Sequence, residues 1–335
     1  MHPLFQSIQL KEELHVKVET FCQQWENGLP ISILTSGSTG KPKEIMFTKE
    51  QFILSAKKTI AFFNLNENTK GLLCLSPDTI GGKMMMVRAI VGNYSLFITN
   101  PSLDPFEHLD EQIDFVALVP AQVSHILKNP SSLSKLKLVK HILIGGAEIT
   151  KVLCEQLKHH GIKAYQSYGM TETISQVALR EIGLNTEYHA LPGIHFTQEQ
   201  NCLTIHYPEI NSKPIQTTDQ VVLMDDQRFI WKGRADFVIN SGGKKIHPEE
   251  LELRLSSYIS GRFFLRSIPH PIWGEALVLL TEHPTSLDKT TLSAEFRAHE
   301  IPKFTQTVPM ILTESGKIQR ERTSKQCLED AWISL

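Results

Sequence analysis

Residues 139–177 read VKHILIGGAEITKVLCEQLKHHGIKAYQSYGMTETISQV, and this stretch decides the fold. The apolar run 139–144 predicts a buried strand. Thr150 is placed to cap a helix over 151–159, which Gly161 closes. Residues 162–165 predict the next strand, and the polar stretch Ser167-Tyr168-Gly169-Met170-Thr171-Glu172-Thr173 follows it. An apolar strand, a helix and a second apolar strand form the repeating unit of a sheet whose strands run parallel under covering helices.

The same alternation extends upstream. Strands are expected at 31–34, 44–47, 71–75, 94–99 and 115–119, with helices at 49–63, 83–91 and 121–128. Thr48 and Gln51 have the spacing of a capping box ahead of the first of these helices. Downstream the texture changes to short strand-like runs at 176–180, 193–197, 202–207, 221–224 and 228–231, with Asp225-Asp226-Gln227 as a hairpin turn. Beyond Asp236 come a glycine-rich loop at 241–245, a helix at 248–257 opened by Pro248, strands at 263–268 and 276–281, and a helix at 287–299. The expected class is α/β. A large domain, residues 1–234, carries a mostly parallel sheet plus a short-stranded β region, and a small mobile α+β domain, residues 235–335, forms a lid.

Composition narrows the function. The chain has 335 residues, and 34 Lys and Arg against 36 Asp and Glu leave a formal charge of −2, which excludes a general nucleic-acid binder. Cys22, Cys74, Cys154, Cys202 and Cys327 are scattered, with no C-x-x-C pair, as reduced thiols of a cytoplasmic protein would be. The polar first twenty residues do not read as a signal peptide. Runs such as 115–120 and 276–280 fall far short of the ~20 apolar residues that span a bilayer, so no membrane insertion is expected.

Four segments carry chemistry. Thr35-Ser36-Gly37-Ser38-Thr39-Gly40-Lys41-Pro42-Lys43 combines glycines, hydroxyls and two lysines. Backbone N–H groups and hydroxyls can converge there on a polyphosphate, although a surface loop has the same composition. The segment from Ser167 to Thr173 sits where parallel strands end and ligands bind, with Glu172 able to hold a divalent cation and Thr171 a phosphate oxygen; an exposed turn is the alternative. Lys232-Gly233-Arg234-Ala235-Asp236 marks the domain junction, ahead of the basic loop Ser241-Gly242-Gly243-Lys244-Lys245. Glu314-Ser315-Gly316-Lys317 places a lysine on a glycine turn, either to reach a cleft as a point charge or to stay solvated.

The order and spacing of these segments resemble the adenylate-forming superfamily of acyl- and aryl-CoA ligases, luciferases and peptide-synthetase adenylation domains, across residues 32–320. YGMTETISQV, residues 168–177, is most similar to the o-succinylbenzoate–CoA ligases of menaquinone biosynthesis, in which a Ser-Gln pair follows the central motif. The resemblance implies ATP, Mg²⁺ and CoA as cofactor and co-substrates. It implies that Thr35, Ser36, Gly37, Ser38, Thr39, Gly40, Lys41 and Lys43 grip the β- and γ-phosphates. Gly145, Gly146, Ala147 and Glu148 would pack on adenine, with Tyr168 and Gly169 bordering the adenine and acyl pocket. Thr171 would meet the α-phosphate and Glu172 would hold Mg²⁺. Asp219 and Arg234 would take the ribose, Asp236 would be the hinge, and Lys317 would bridge the acid and the α-phosphate. Gly242, Gly243 and Lys244 would swing in for the CoA step. Lys83, Arg88 and Ser175 are the residues nominated for the acid itself.

The implied chemistry suits the residue types. A carboxylate is already ionised at neutral pH, so its attack on phosphorus needs cations rather than a general base. Three features depart from the family pattern: 34 residues precede Thr35, fewer than the resemblance implies; Thr218 replaces a glycine; and SPDTIGG, residues 76–82, lacks the usual aromatic-His pair. Other expectations consistent with the motifs are a ligase for another aryl or acyl acid, a carrier-protein-loading adenylation enzyme, and a non-catalytic nucleotide-binding relic.

Overall fold

Period-two patterning sorts the central strands onto two faces. In the computed structural model, which describes residues 1–34, 44–313, 316–328 and 331–335, Leu73, Leu96, Ile98, Phe115, Ala117 and Leu143 enter one apolar cluster. Their neighbours Leu72, Phe97, Val116, Ile142 and Ile144 enter another on the opposite face. Alternation of this kind with both faces buried is what a sheet covered on each side requires. Glu12–Glu26, Lys49–Phe63 and Ile80–Gly92 cover the first face, contributing Trp25, Phe52 and Met84. Pro120–Ile126, Pro130–Leu136 and Lys151–His159 cover the second, contributing Val123, Leu136 and Leu153.

The parallel strands lie in the order Phe5–Ser7, Ser95–Ile98, Lys70–Leu73, Phe115–Leu118, His141–Ile144 and Tyr165–Gly169. The short strands that follow are not a separate β region. Gln176–Glu181 pairs antiparallel with Tyr165–Gly169, and Tyr188–Ala190, Arg228–Arg234, Ile215–Leu223, Cys202–His206 and His195–Glu199 extend the same sheet to twelve strands. Ile31–Leu34 and Glu44–Phe47 form a separate antiparallel pair. A second sheet, built from residue 239 onward, has its own core around Leu251, Leu265, Leu277 and Leu279. We call the two sheet-centred bodies the large and the small lobe.

Several expected elements shift. Residues 162–164 are not strand: Ile162 donates its N–H to Leu157 and closes the helix end behind Gly161, at φ +68°. The expected helix 287–299 shortens to Lys289–Ser293. Beyond it, side chains engage the backbone instead: Glu300 accepts the Arg297 N–H, and Arg254 donates to the Glu295 carbonyl. The loop 241–245 is a hairpin, Ile239–Ser241 against Lys244–Ile246, with Gly242 and Gly243 at φ +55° and +72°. The strand Phe5–Ser7 and the helix Glu12–Glu26, unforeseen from the sequence, add an edge strand and a cover to the core.

Candidate active site

Asp219 lies within a long strand, in register with Arg234 on the next one. Two neutral donors hold its carboxylate: the Tyr168 hydroxyl gives a bond of 2.6 Å to Oδ2, and Trp231 Nε1 one of 3.1 Å to Oδ1. Burial and the adjacent Asp219 charge push the Tyr168 hydroxyl well above its ordinary value, so it stays a donor. Tyr168 packs edge-on to Phe229, one alternation away from Trp231 on the neighbouring strand. The sequence reading passed over Trp231. Its signal was an indole donor two residues from a core phenylalanine, on the strand that runs into Arg234.

Tyr168 and Gly169 end the sixth parallel strand rather than follow it. A Cβ on Gly169 would stand 2.3 Å from the Ser175 carbonyl oxygen, so only glycine lets the chain fold back here. Thr171, Glu172 and Thr173 form a single 3₁₀ turn. Thr173 is buried and its hydroxyl donates to the Ser175 carbonyl at 2.7 Å, which leaves Glu172 exposed at the sheet end; Asn211 donates to the Glu172 carbonyl. Among the described residues no three His, Cys, Asp or Glu side chains converge on a metal position.

Behind this turn lies Arg88, 1% exposed. Its Nη2 donates to Ser175 Oγ and to Gln176 Oε1, each at 2.8 Å, and Gln176 passes the chain on to Thr59. Arg88 Nε and the Tyr94 hydroxyl are buried without partners among the described residues. No described carboxylate pairs with Arg88, and burial brings its guanidinium down to about 10. Lys83, nominated beside it, turns back to cap the Pro77 carbonyl at 2.8 Å.

Gly145 and Gly146 follow the fifth parallel strand, and Gly146 and Ala147 are exposed there. Glu148 is committed elsewhere. It forms a short ion pair with Arg180 and accepts from Tyr188 and Gln166 at 3.0 and 3.1 Å. Burial raises its carboxyl above the ordinary value, against the pull of Arg180 and Tyr188. The network ties the glycine segment to the antiparallel strands, and the side chain acts as a brace. Thr35 through Lys43 lies outside the described residues.

The small lobe supplies the remaining cation. Leu312 and Ile318 bridge across a turn in which the Lys317 N–H reaches Thr313 Oγ1 at 3.1 Å, with Gly316 at φ +81°. Lys317 is exposed as a residue, yet protein atoms crowd around its amine. Lost hydration and then the Arg234 charge lower its pKa, while Asp219 pulls the other way. The lysine of one lobe is thus electrostatically coupled to Arg234 and Asp219 of the other. Asp236, in the linking turn Ala235–Phe237, binds Arg234 at 2.7 Å and Thr218 at 3.1 Å. The Gly242-Gly243-Lys244 hairpin is exposed. Arg320, also missed, fastens the lysine segment: it pairs with Glu252 at 2.5 Å and lies over the Phe237 ring at 4.8 Å.

Comparison with known proteins identifies the family. Residues 9–196 match the family model described as AMP-binding enzyme. A 2-succinylbenzoate–CoA ligase of Listeria monocytogenes is 27% identical, across 94% of this chain and 74% of the relative. The crystal structure of an acyl-CoA synthetase (AMP-forming)/AMP-acid ligase II-like protein from Dyadobacter fermentans is 32% identical, covers 95% of this chain and 96% of that one, and superposes with a TM-score of 0.64. The fold is shared with the o-succinylbenzoate coenzyme A synthetase of Bacillus subtilis in complex with ATP and magnesium, at 19% identity over 88% and 69% of the two chains and a TM-score of 0.75. The chain belongs to the AMP-binding enzyme family.

Proposed function

We propose that this chain is an ATP-dependent 2-succinylbenzoate–CoA ligase. It joins the carboxylate of the acid to AMP, releasing pyrophosphate, and then passes the acyl group to the CoA thiol, releasing AMP. The observation that carries this reading is the seating of the small lobe on the strand of Arg234, through Glu249 on the Arg234 N–H and Glu250 on Lys232, with Lys317 in electrostatic range of Asp219 and Arg234. Two anions, the acid and the α-phosphate, must meet in the first step. An ammonium group delivered to that point offsets the charge where it accumulates. The relatives named 2-succinylbenzoate–CoA ligase support the choice of acid.

The other roles follow from placement. Asp219, held by Tyr168 and Trp231, is oriented to accept the ribose hydroxyls, with Arg234 beside it. We assign Thr171 to the α-phosphate and the loop Thr35–Lys43 to the outer phosphates. Glu172 fits Mg²⁺, because a nucleotide-bound magnesium takes one or two carboxylates and fills its shell with phosphate oxygens and water. When bound, the ion would offset phosphate charge. Gly145, half-buried, and the exposed Gly146 and Ala147 are assigned to the base. Arg88, a buried cation without a described carboxylate partner, lends positive potential to the acid's second carboxylate through Ser175. For the second step we assign a rotation of residues 235–335 about Asp236 that withdraws Lys317 and brings in the Gly242-Gly243-Lys244 hairpin. Cytoplasm, where ATP and CoA are both available, is the expected compartment.

Pyrophosphate release with 2-succinylbenzoate, ATP and Mg²⁺ tests the reading, with CoA added for the full reaction and a panel of aryl acids as competitors. Lys317→Ala should lower adenylation by about 100-fold or more while largely sparing thioester formation from preformed adenylate. Equal loss of both half-reactions would remove the two-lobe mechanism. Turnover with another aryl acid, and none with 2-succinylbenzoate, would remove the substrate assignment.

A further inference from the structure

The small-lobe helix Pro248–Leu255 starts against Arg228–Arg234, the strand that ends the large lobe. Two successive carboxylates make this contact. Glu250 pairs with Lys232 at 2.9 Å at the surface. Glu249 is buried, 9% exposed, and its Oε1 accepts the Arg234 backbone N–H at 3.3 Å. Its Oε2 is also buried and has no hydrogen-bond partner among the described residues. Gly233, at φ +131°, makes room for it: a Cβ there would stand 2.7 Å from Oε2. The carboxyl fills a notch that exists because residue 233 has no side chain.

We propose that Glu249 is a positioning residue for acyl-adenylate formation: seated over Gly233 and holding the Arg234 amide, it docks the small lobe so that Lys317 stands beside Arg234 and Asp219. The inference rests on the adenylating function proposed above. An ionised carboxylate with a buried, unpaired oxygen is costly in this notch, and a protonated one costs much less. The charged and titratable groups around it are Glu252 on its own helix, Arg320 from the C-terminal segment, Arg234 on the strand, and His247 at the helix start. Burial, with Glu252 acting in the same sense and Arg320 against it, raises the Glu249 carboxyl from 4.5 to about 7. A carboxyl raised in the docked arrangement favours docking fully below its ordinary value. That contribution is lost as pH rises through the raised one, so docking weakens between pH 4.5 and about 7.

The test compares wild type, Glu249→Gln and Glu249→Ala from about pH 5 to pH 8, across the titration of Glu249. Adenylation is read as pyrophosphate release without CoA, and thioester formation is read from preformed adenylate. Gln stays neutral and its carbonyl still accepts the Arg234 N–H. Its adenylation rate should match wild type at the acid end and exceed it severalfold at the alkaline end. Ala should slow adenylation throughout and leave the thioester step unchanged. Gly233→Ala, which pushes a methyl group against Oε2, should copy Glu249→Ala. Titration of Lys317 is common to all these proteins and cancels in the ratios. Amide hydrogen exchange at Arg234 reads docking without catalysis: at the alkaline end it should be faster in wild type than in Glu249→Gln. A Gln-to-wild-type ratio that does not change with pH, together with equal Arg234 exchange in the two proteins, would overturn the proposal. Unchanged exchange differences in a protein that releases no pyrophosphate would instead overturn the proposed function and leave the docking role standing.

Discussion

Two arginines near the sixth parallel strand, Arg180 half-buried and Arg88 fully buried, are treated differently. Arg180 has a carboxylate, Glu148, and shares it with Tyr188 and Gln166. Arg88 is buried more deeply yet, among the described residues, its side chain bonds only to the neutral oxygens of Ser175 and Gln176 and the Met85 sulfur. A buried ion pair breaks badly when one partner is removed, because the other is left as an uncompensated charge. A buried cation without a counter-ion already bears that cost in the resting protein, so deleting it should release strain rather than create it. The first arrangement braces the glycine segment Gly145-Gly146. The second, on the function proposed above, would hold positive potential ready for an anion that arrives with the substrate.

The largest effect should come from breaking the compensated pair. Arg180→Met should lower unfolding free energy by about 3 kcal/mol, read by denaturant titration. Removing the guanidinium takes away the interaction that opposes the rise of the Glu148 carboxyl. The variant's folded state should then hold a proton on Glu148 to higher pH, and its stability should fall further as pH rises above the ordinary carboxylate range. A deficit independent of pH would place the damage in packing alone.

Arg88→Met should behave in the opposite way. Its stability should stay within about 1 kcal/mol of wild type, since an unpaired buried charge is exchanged for an apolar side chain of similar reach. Its kcat/KM for 2-succinylbenzoate should fall by about 100-fold, a loss of roughly 2.7 kcal/mol of transition-state stabilisation. An aryl acid with a single carboxylate should lose much less. Equal losses for both acids would make Arg88 a structural residue like Arg180.

The smallest effect concerns a carboxylate held by neutral groups, the acidic counterpart of Arg88. Trp231→Phe removes one donor to Asp219 and keeps the ring. It should raise KM for ATP by a few-fold, about 1 kcal/mol, with kcat nearly unchanged. A fall in kcat alone would point away from ribose binding.

Much of this was legible in the residues. The capping box at Thr48 and Gln51 is present with both of its bonds, and Thr150 caps Lys151–His159 through Leu153. These are local patterns, fixed by side chains within one turn of the backbone they satisfy. The parallel strands were found because runs buried on both faces are apolar throughout. Local readings failed where a distant partner decided the outcome. Residues 241–245 read as a loop, but Gly242 and Gly243 turn a hairpin whose strand joins Gly274–Thr281. Nothing local to Glu148 shows that Arg180, Tyr188 and Gln166 claim its carboxylate.

The sequence alone determined the parallel core, the order of the chemical segments and the types of charge the site would need, because periodicity and residue chemistry are properties of the chain itself. Only the tertiary structure decided which charges meet. Lys317 comes into electrostatic range of Asp219 and Arg234, Glu249 settles over Gly233, and Arg88 has no counter-ion among the described residues. Those outcomes depend on how strands and lobes pack across long stretches of chain, and burial there sets whether a charge is paired, protonated or held ready for a ligand.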